Sequence, residues 1–434
     1  MSQTLKAVRG TRDLLPPETA LWNRIESTSR AVFARYNFGE IRTPIFEDTA
    51  VFARGVGEET DIVSKEMYTW EDRARAQSEK TQSLTLRPEN TAGVVRAYIE
   101  HGLGESGQLQ KLFYIGPQFR RERPQKGRYR QFSQIGAEVL GPPSSGSESP
   151  LRDAEVLEML ATLLDELGIT GWTLELNSVG SQADRARYNE TLRAAFLPVV
   201  SQMCPDCQRR AVTNPLRVLD CKVPADQPII ATLPVIADSL DEASRVHFAQ
   251  VLAALDAAQV PYTLNHRLVR GLDYYTRTTF EFTHGGLGAQ NALLGGGRYD
   301  GLSEAIGGPK APGIGFAMGE DRLVLTLQAV LNQEAAPPQV ANAFIAPLGE
   351  SLNPAALALA RELRRSGLRI ELGEGAFRLK KSFDAAEKTA RRIVILGEDE
   401  LQSGILTVKT FSTGIQTKVP RADLAVFLAE PEKG

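Results

Sequence analysis

Arg120, Arg121, Arg123, Lys126, Arg128 and Arg130 all fall within the stretch FRRERPQKGRYRQFSQIGAE, in a chain whose overall formal charge is only −3. Pro124 and Gly127 inside this window signal a turn. The exit RQFSQIGAEVL alternates polar and apolar residues as a half-buried strand does. The pattern predicts a hairpin whose basic tip overhangs a sheet. Arginine suits such a tip because its planar guanidinium stays charged and pairs bidentately with phosphate, whereas lysine acts as a point charge. A charge run alone describes a solvated face equally well. What favours a ligand is the embedded Phe119, Tyr129 and Phe132, with the polar Gln134 and Glu138 four apart on one strand face.

Length and composition bound the rest. A chain of 434 residues exceeds one ordinary domain, so two or three are expected. A hydrophobic fraction of 42% and a charged fraction of 24% belong to a soluble globular protein, and a pI near 6.0 argues against a general nucleic-acid coat. No apolar run of about 18 residues occurs, so no membrane partner is expected. The start MSQTLKAVRGTRDLLPP lacks an apolar secretory core, which predicts a cytoplasmic location. Cys204, Cys207 and Cys221 form a C-x-x-C with a later third thiol. None of the four histidines lies near enough in sequence to complete a zinc set, so reduced thiols and no protein-side-chain metal site are expected.

The Pro- and Ala-rich EAAPPQ around Pro337 and Pro338 marks a boundary. Beyond it ANAFIAPL, NPAALALARELRRSG, RIEL, FRLKKSFDAAEKTA and RRIVILG read as β-α-β-α-β, a small α/β domain over 339–434. Residues 181–255 have helical periodicity and little strand character. They read as a helical insertion splitting a β-rich body into 1–180 and 256–333.

Four more constellations lie in that body. TLRPENTAG spaces Arg87, Glu89 and Thr91 on alternate positions at a strand end, with Thr91 also a candidate cap for the following helix. LVRGLDYYTRTTFEF couples Arg270 to a glycine and to the paired Tyr274 and Tyr275, hydroxyls at the edge of an apolar slot or ordinary aromatic packing. LLGGGRYDGL is neither a Walker loop nor a dinucleotide fingerprint, and its glycines make room for a substrate against a sheet. GIGFAMGEDRLVLTLQAVL turns helical at Asp321, with Arg322 in the first turn.

In this order and spacing, TLRPENTAG, YIGPQFRRERPQKGRYRQFSQIGAE, LVRGLDYYTRT, GGGRYDGL and GIGFAMGEDRLVL resemble the histidyl-tRNA synthetases, class II aminoacyl-tRNA synthetases, over nearly the whole chain. FRRER with its following strand resembles motif 2, GEDRL motif 3, and the region around Pro44 motif 1, the dimer-forming element. The resemblance implies an α+β catalytic domain on an antiparallel sheet, a helical insertion and a C-terminal α/β anticodon-binding domain. It further implies L-histidine, ATP with Mg2+ and tRNA(His) as substrates, no organic cofactor, and a homodimer.

Carried over residue by residue, Arg270 would act on the α-phosphate, and Arg120 and Arg322 would hold the α- and γ-phosphates of a bent ATP, with Arg128 also on ATP. Glu89, Thr91 and Gln134 would bind the α-amino group. Glu138 with Tyr275 would read the imidazole, Tyr274 lying in the same pocket, and Gln125 would lie near the extra 5′ guanosine of the tRNA. The basic stretch Arg378, Lys380, Lys381, Lys388, Arg391 and Arg392 would contact tRNA backbone. Departures are Asp321 where Glu is usual, Glu320 where an apolar residue is common, Asn90 in place of a smaller residue, and a long loop at 74–82. The rival reading is the catalytically inactive regulatory subunit of ATP phosphoribosyltransferase, which usually lacks both RGLDYY and the C-terminal domain.

Overall fold

The computed structural model describes residues 4–57, 60–72, 81–125, 127–287, 291–331, 340–376 and 378–431. Lys126, nearly all of the long loop at 74–82 and the whole of the EAAPPQ boundary lie outside them. The chain divides into two compact units, Met1–Ala336 and Pro337–Gly434.

The strands of the first unit are β1 (Gly39–Glu40), β2 (Phe46–Asp48), β3 (Tyr68–Asp72), β4 (Gln82–Leu86), β5 (Gln110–Phe119), β6 (Gln131–Leu140), β7 (Trp172–Ser178), β8 (Thr263–Leu264), β9 (Thr276–His284), β10 (Ala292–Arg298) and β11 (Gly313–Gly319). Eight form one sheet in the order β1-β5-β6-β11-β10-β9-β7-β8. Its six inner strands pair antiparallel and only the short edge strands pair parallel. The basic hairpin is β5–β6, in register from Gln110↔Leu140 to Phe119↔Gln131.

Alternation along the inner strands sorts the two faces. Ile135, Ala137 and Val139 of β6 and Phe280 and Phe282 of β9 join the main hydrophobic core. That core also takes residues from the helices Thr19–Arg35, Pro150–Leu167, Glu242–Ala257 and Glu320–Leu331. Gln134 and Glu138 point the other way, yet both are buried, so β6 is covered on both faces rather than half-exposed as its alternation predicts. The reason is that the second face floors an enclosed site.

The helices Gln182–Phe196, Pro205–Thr213 and Gln227–Ala231 gather a separate core from Val179 to Leu240. The helix Glu242–Ala257 instead sends Val251 and Leu255 into the main core. The inserted core therefore ends near Leu240 rather than at 255, because periodicity alone cannot tell which core a helix serves.

In the second unit β12 (Ala343–Pro347), β13 (Ile370–Leu372), β14 (Arg392–Leu396), β15 (Ile405–Thr410) and β16 (Gln416–Pro420) order as β13-β12-β14-β15-β16. The first three are parallel and the last two add antiparallel. The hairpin β15–β16 has no counterpart in the five-element reading, since ILTVKT and QTKVP are short and polar on one face. Arg392 is not a tRNA-facing cation: it is buried, donates to the carbonyls of Leu428 and Glu430, and lies 5.2 Å from the Phe427 ring centroid. Arg378, Lys380, Lys381, Lys388 and Arg391 are exposed.

Candidate active site

A cavity of about 1070 Å3 opens on the polar face of the main sheet, room for a nucleotide and an amino acid together. Arg120, Arg128, Arg270, Arg322, Glu89, Thr91, Gln134, Tyr274 and Tyr275 all line it. Glu138 does not, and Gln125 stands exposed at the hairpin tip, its backbone paired with that of Arg128.

Glycines set opposite long side chains shape this floor. Glu138 pairs across the ladder with Gly315, and Glu281 with Gly295. A Cβ at Gly315 would overlap the Glu138 carboxylate, and one at Gly295 would sit 2.6 Å from Nη1 of Arg270. Arg270 thus lies flat across β10 where no side chain stands, ion-paired with Glu281. Burial works against its charge, but Glu281 and Tyr275 hold it above the ordinary arginine value. Arg298, in the same glycine-rich segment, does not reach the cavity: it is fully buried and spent on Asp153 at 2.8 Å and Asp300 at 2.7 Å.

The other arginines come from separate segments. Arg120 leaves β5, donates from Nε to the carbonyl of Pro88 at 2.9 Å and lies 5.3 Å from the Phe132 ring centroid. Arg322, in the first turn of its helix, donates to the carbonyl of Ala292 at 2.7 Å. Burial and the neighbouring Arg128 both lower its guanidinium, with Glu281 and Glu122 opposing.

The TLRPE segment behaves differently from its cap reading. The carboxylate of Glu89 accepts from the backbone N–H of Thr91 at 2.8 Å and of Ala92 at 3.0 Å, so Glu89 caps the helix Thr91–Glu100. The Thr91 hydroxyl is thereby released and donates to Glu138 at 2.7 Å. Tyr299 donates to the other Glu138 oxygen at 2.7 Å. Burial pushes Glu138 up to about 8, with these two hydroxyls opposing. Gln134 is 9% exposed and its Oε1 accepts no hydrogen bond from the described residues, an acceptor on the cavity wall.

Glu281 and Tyr299 escaped the sequence reading. The signal for Glu281 was its place between Phe280 and Phe282, which alternation assigns to the polar face. Asp321, the shortened motif 3 acid, is held by Arg12 at 2.9 Å, and Arg12 in turn stacks 4.8 Å from the Tyr129 ring centroid. The N-terminal segment therefore locks the motif 3 helix against the basic hairpin.

Glu320 is fully buried, and desolvation lifts its carboxyl to about 8 against the neighbouring Ser133. The folded state then binds this proton more tightly than the unfolded chain. The stability it contributes is complete below about pH 4.5 and is lost as pH rises through about 8, at up to about 1.4 kcal/mol per pH unit. In urea unfolding of wild type and Glu320→Gln, the wild type's advantage is expected to shrink between pH 5 and 8; parallel profiles would contradict a raised Glu320.

Against this geometry stand the relatives. A sequence model of the family described as Histidyl-tRNA synthetase matches residues 10–323, and one described as Anticodon binding domain matches 342–430. The chain belongs to the histidyl-tRNA synthetase family. It is 71% identical to the histidine–tRNA ligase of Koribacter versatilis over 98% of its own length and 96% of that protein. It is 54% identical to that of Solibacter usitatus, covering 98% and 99%. The apo histidyl-tRNA synthetase of S. aureus superposes with a TM-score of 0.79 at 36% identity, covering 98% of this chain and all of that one.

Proposed function

We infer that this chain is a histidine–tRNA ligase, which activates L-histidine with ATP and transfers it to the 3′ end of tRNA(His). The observation that carries the reading is the convergence of Arg120, Arg270 and Arg322, from three separate segments, on one cavity that also offers Glu89 and the Oε1 of Gln134, which accepts from none of the described residues.

The chemistry needs little more. The histidine carboxylate attacks the α-phosphorus in line and pyrophosphate leaves, so the protein must position the reactants and neutralise charge spreading over phosphoryl oxygens. Arg270 and Arg120 serve the α-phosphate, and Arg322 with Arg128 the terminal phosphates. No side-chain nucleophile is required. The Mg2+ that accompanies ATP neutralises further phosphate charge, and Glu122 and Glu281 are hard oxygen donors on the same cavity wall.

Glu89 and Gln134 accept from the α-ammonium group beside Thr91. Tyr275, with the Tyr274 ring 4.7 Å away and tilted by 59°, meets one imidazole nitrogen. Glu138, behind the cavity wall, is the partner for the other through the Thr91 and Tyr299 hydroxyls that it holds. A neutral imidazole carries one donor and one acceptor nitrogen, so an amino acid lacking them leaves buried polar groups unpaired, a discrimination of about 10⁴ or more. In the second step the terminal ribose hydroxyl of the tRNA attacks the aminoacyl carbonyl. Gln125, exposed at the hairpin tip, faces the acceptor end, and the cations Arg378, Lys380, Lys388 and Arg391 supply backbone contacts in the anticodon-binding domain.

A homodimer formed through the motif 1 region is part of the same reading. Ile45, Phe46 and Trp70 are 45%, 53% and 40% exposed there, an apolar surface that a second subunit would cover. The protein works in the cytoplasm; no helix among the described residues is long and apolar enough to cross a membrane. Both the RGLDYY segment and the C-terminal domain that the inactive paralogue usually lacks are present.

Deleting residues from Ala336 onward separates the two steps. Histidine-dependent exchange of pyrophosphate into ATP is expected to survive, while kcat/KM for tRNA charging falls at least about tenfold, 1.4 kcal/mol of tRNA binding. Unchanged charging would remove the tRNA role of the second unit, and absent exchange in both full-length and truncated protein would remove the ligase reading.

A further inference from the structure

The three cysteines are brought together in the inserted helical core, and an aspartate rather than a histidine joins them. The thiol sulfurs of Cys204, Cys207 and Cys221 and a carboxylate oxygen of Asp226 all lie within 4.8 Å of one another. Cys204 and Cys221 are 3.9 Å apart, sulfur to sulfur, and Cys221 is 3.3 Å from Oδ2 of Asp226. Four donors on a tetrahedron about one ion, with zinc–sulfur bonds of about 2.3 Å and zinc–oxygen bonds of about 2.0 Å, stand about 3.5–3.8 Å apart.

We propose that Cys204, Cys207, Cys221 and Asp226 form a structural Zn2+ site. The spacing C-x2-C-x13-C-x4-D places the first two ligands astride the start of the helix Pro205–Thr213 and the other two on the turns that follow it. Supporting contacts of the kind that orient metal ligands are present: the N–H of Val223 donates to the Cys221 sulfur at 3.4 Å, and the N–H of Cys204 to Asp226 at 3.1 Å.

Asp226 carries the argument. It is 1% exposed and makes no ion pair among the described residues. Its carboxylate is held by the Cys204 N–H and the Cys221 thiol rather than by a cation, a donor set that a divalent ion completes by displacing the thiol protons to solvent. Three soft sulfurs with one oxygen, three of the four residues buried and Cys204 half-buried, favour zinc over magnesium or calcium. A cluster of cysteines serving only as small core residues accounts for Cys207 and Cys221, but not for a carboxylate that gathers all three sulfurs around it.

The site also sits where stiffness matters. Between Cys207 and Cys221 the chain carries Asn214, which donates to the Asp273 carboxylate at 2.9 Å, and Arg217, which donates to the carbonyl of Arg270 at 3.3 Å. Closing that loop with a metal braces the segment that holds Arg270.

The test uses the full chain and does not depend on the ligase reading. Protein purified without added metal and passed through a weak chelator is expected to retain about one zinc ion per chain by elemental analysis. Cys207→Ser and Asp226→Ala should lose it, and the exposed Arg209→Ala should keep it. Should the variants fail to fold, wild-type protein stripped under reducing conditions and titrated with Co2+ decides. Thiolate-to-cobalt charge-transfer absorption, saturating at one equivalent and abolished by Zn2+, is expected. Zinc no higher than in Cys207→Ser with no such absorption would overturn the site, as would a disulfide among the three cysteines in metal-free native protein.

Discussion

Arg270→His is expected to lower histidine-dependent ATP–pyrophosphate exchange by about 10³-fold while ATP still binds measurably. The magnitude is that of removing a fixed cation aimed at charge that develops in a phosphoryl-transfer transition state. Arg120 and Arg322 remain to hold the phosphates, which is why ground-state binding persists. Histidine at this position cannot span from the RGLDYY segment to the open position over Gly295, nor stay charged at neutral pH as arginine does. Equilibrium ATP binding measured beside the exchange rate separates the two effects. Exchange within tenfold of wild type would take Arg270 out of the mechanism.

Gly295→Ala is expected to cost about 10²-fold in exchange with no loss of folding. The added methyl occupies the space where the Arg270 guanidinium lies, and that guanidinium is the far end of a flexible side chain that can swing away at little cost in stability. Its displacement by an ångström or more is what the rate reports. A thermal midpoint equal to wild type with depressed exchange is the expected pair of results. Wild-type exchange would show that Arg270 acts from some other position.

These two residues show how the site was and was not legible in the sequence. Charged groups on strand ends were readable, because Arg120, Arg270 and Arg322 each stand beside a turn or glycine signal and all three reach the cavity. What glycine 295 does was only half readable: the run LLGGGRYDGL says that room is made, but the occupant of that room is set by pairing of β10 with β9, which brings Glu281 opposite and draws Arg270 across. Tyr299 and Thr91 meet Glu138 from separate segments, a convergence that no local pattern encodes. Arg392 was misplaced for a related reason. In a basic run nothing local marks the one cation that folds inward onto helix-end carbonyls.

The fold followed the same division. Long elements with clear period, such as the hairpin β5–β6 and the helix Pro150–Leu167, and the alternation of strand and helix after residue 340, could be read directly. The short hairpin β15–β16 and the core to which the helix Glu242–Ala257 belongs are decided by tertiary packing. Asp226 lies only five residues beyond Cys221 but became visible beside the cysteines when the turns of the inserted core closed.

The central claim, that this cavity activates histidine with ATP, is tested most directly by pyrophosphate exchange into ATP, measured on the purified full-length protein with each of the twenty amino acids in turn. Exchange supported by histidine alone is expected. No exchange with any amino acid, from folded protein supplied with magnesium, would contradict it and favour the inactive regulatory paralogue.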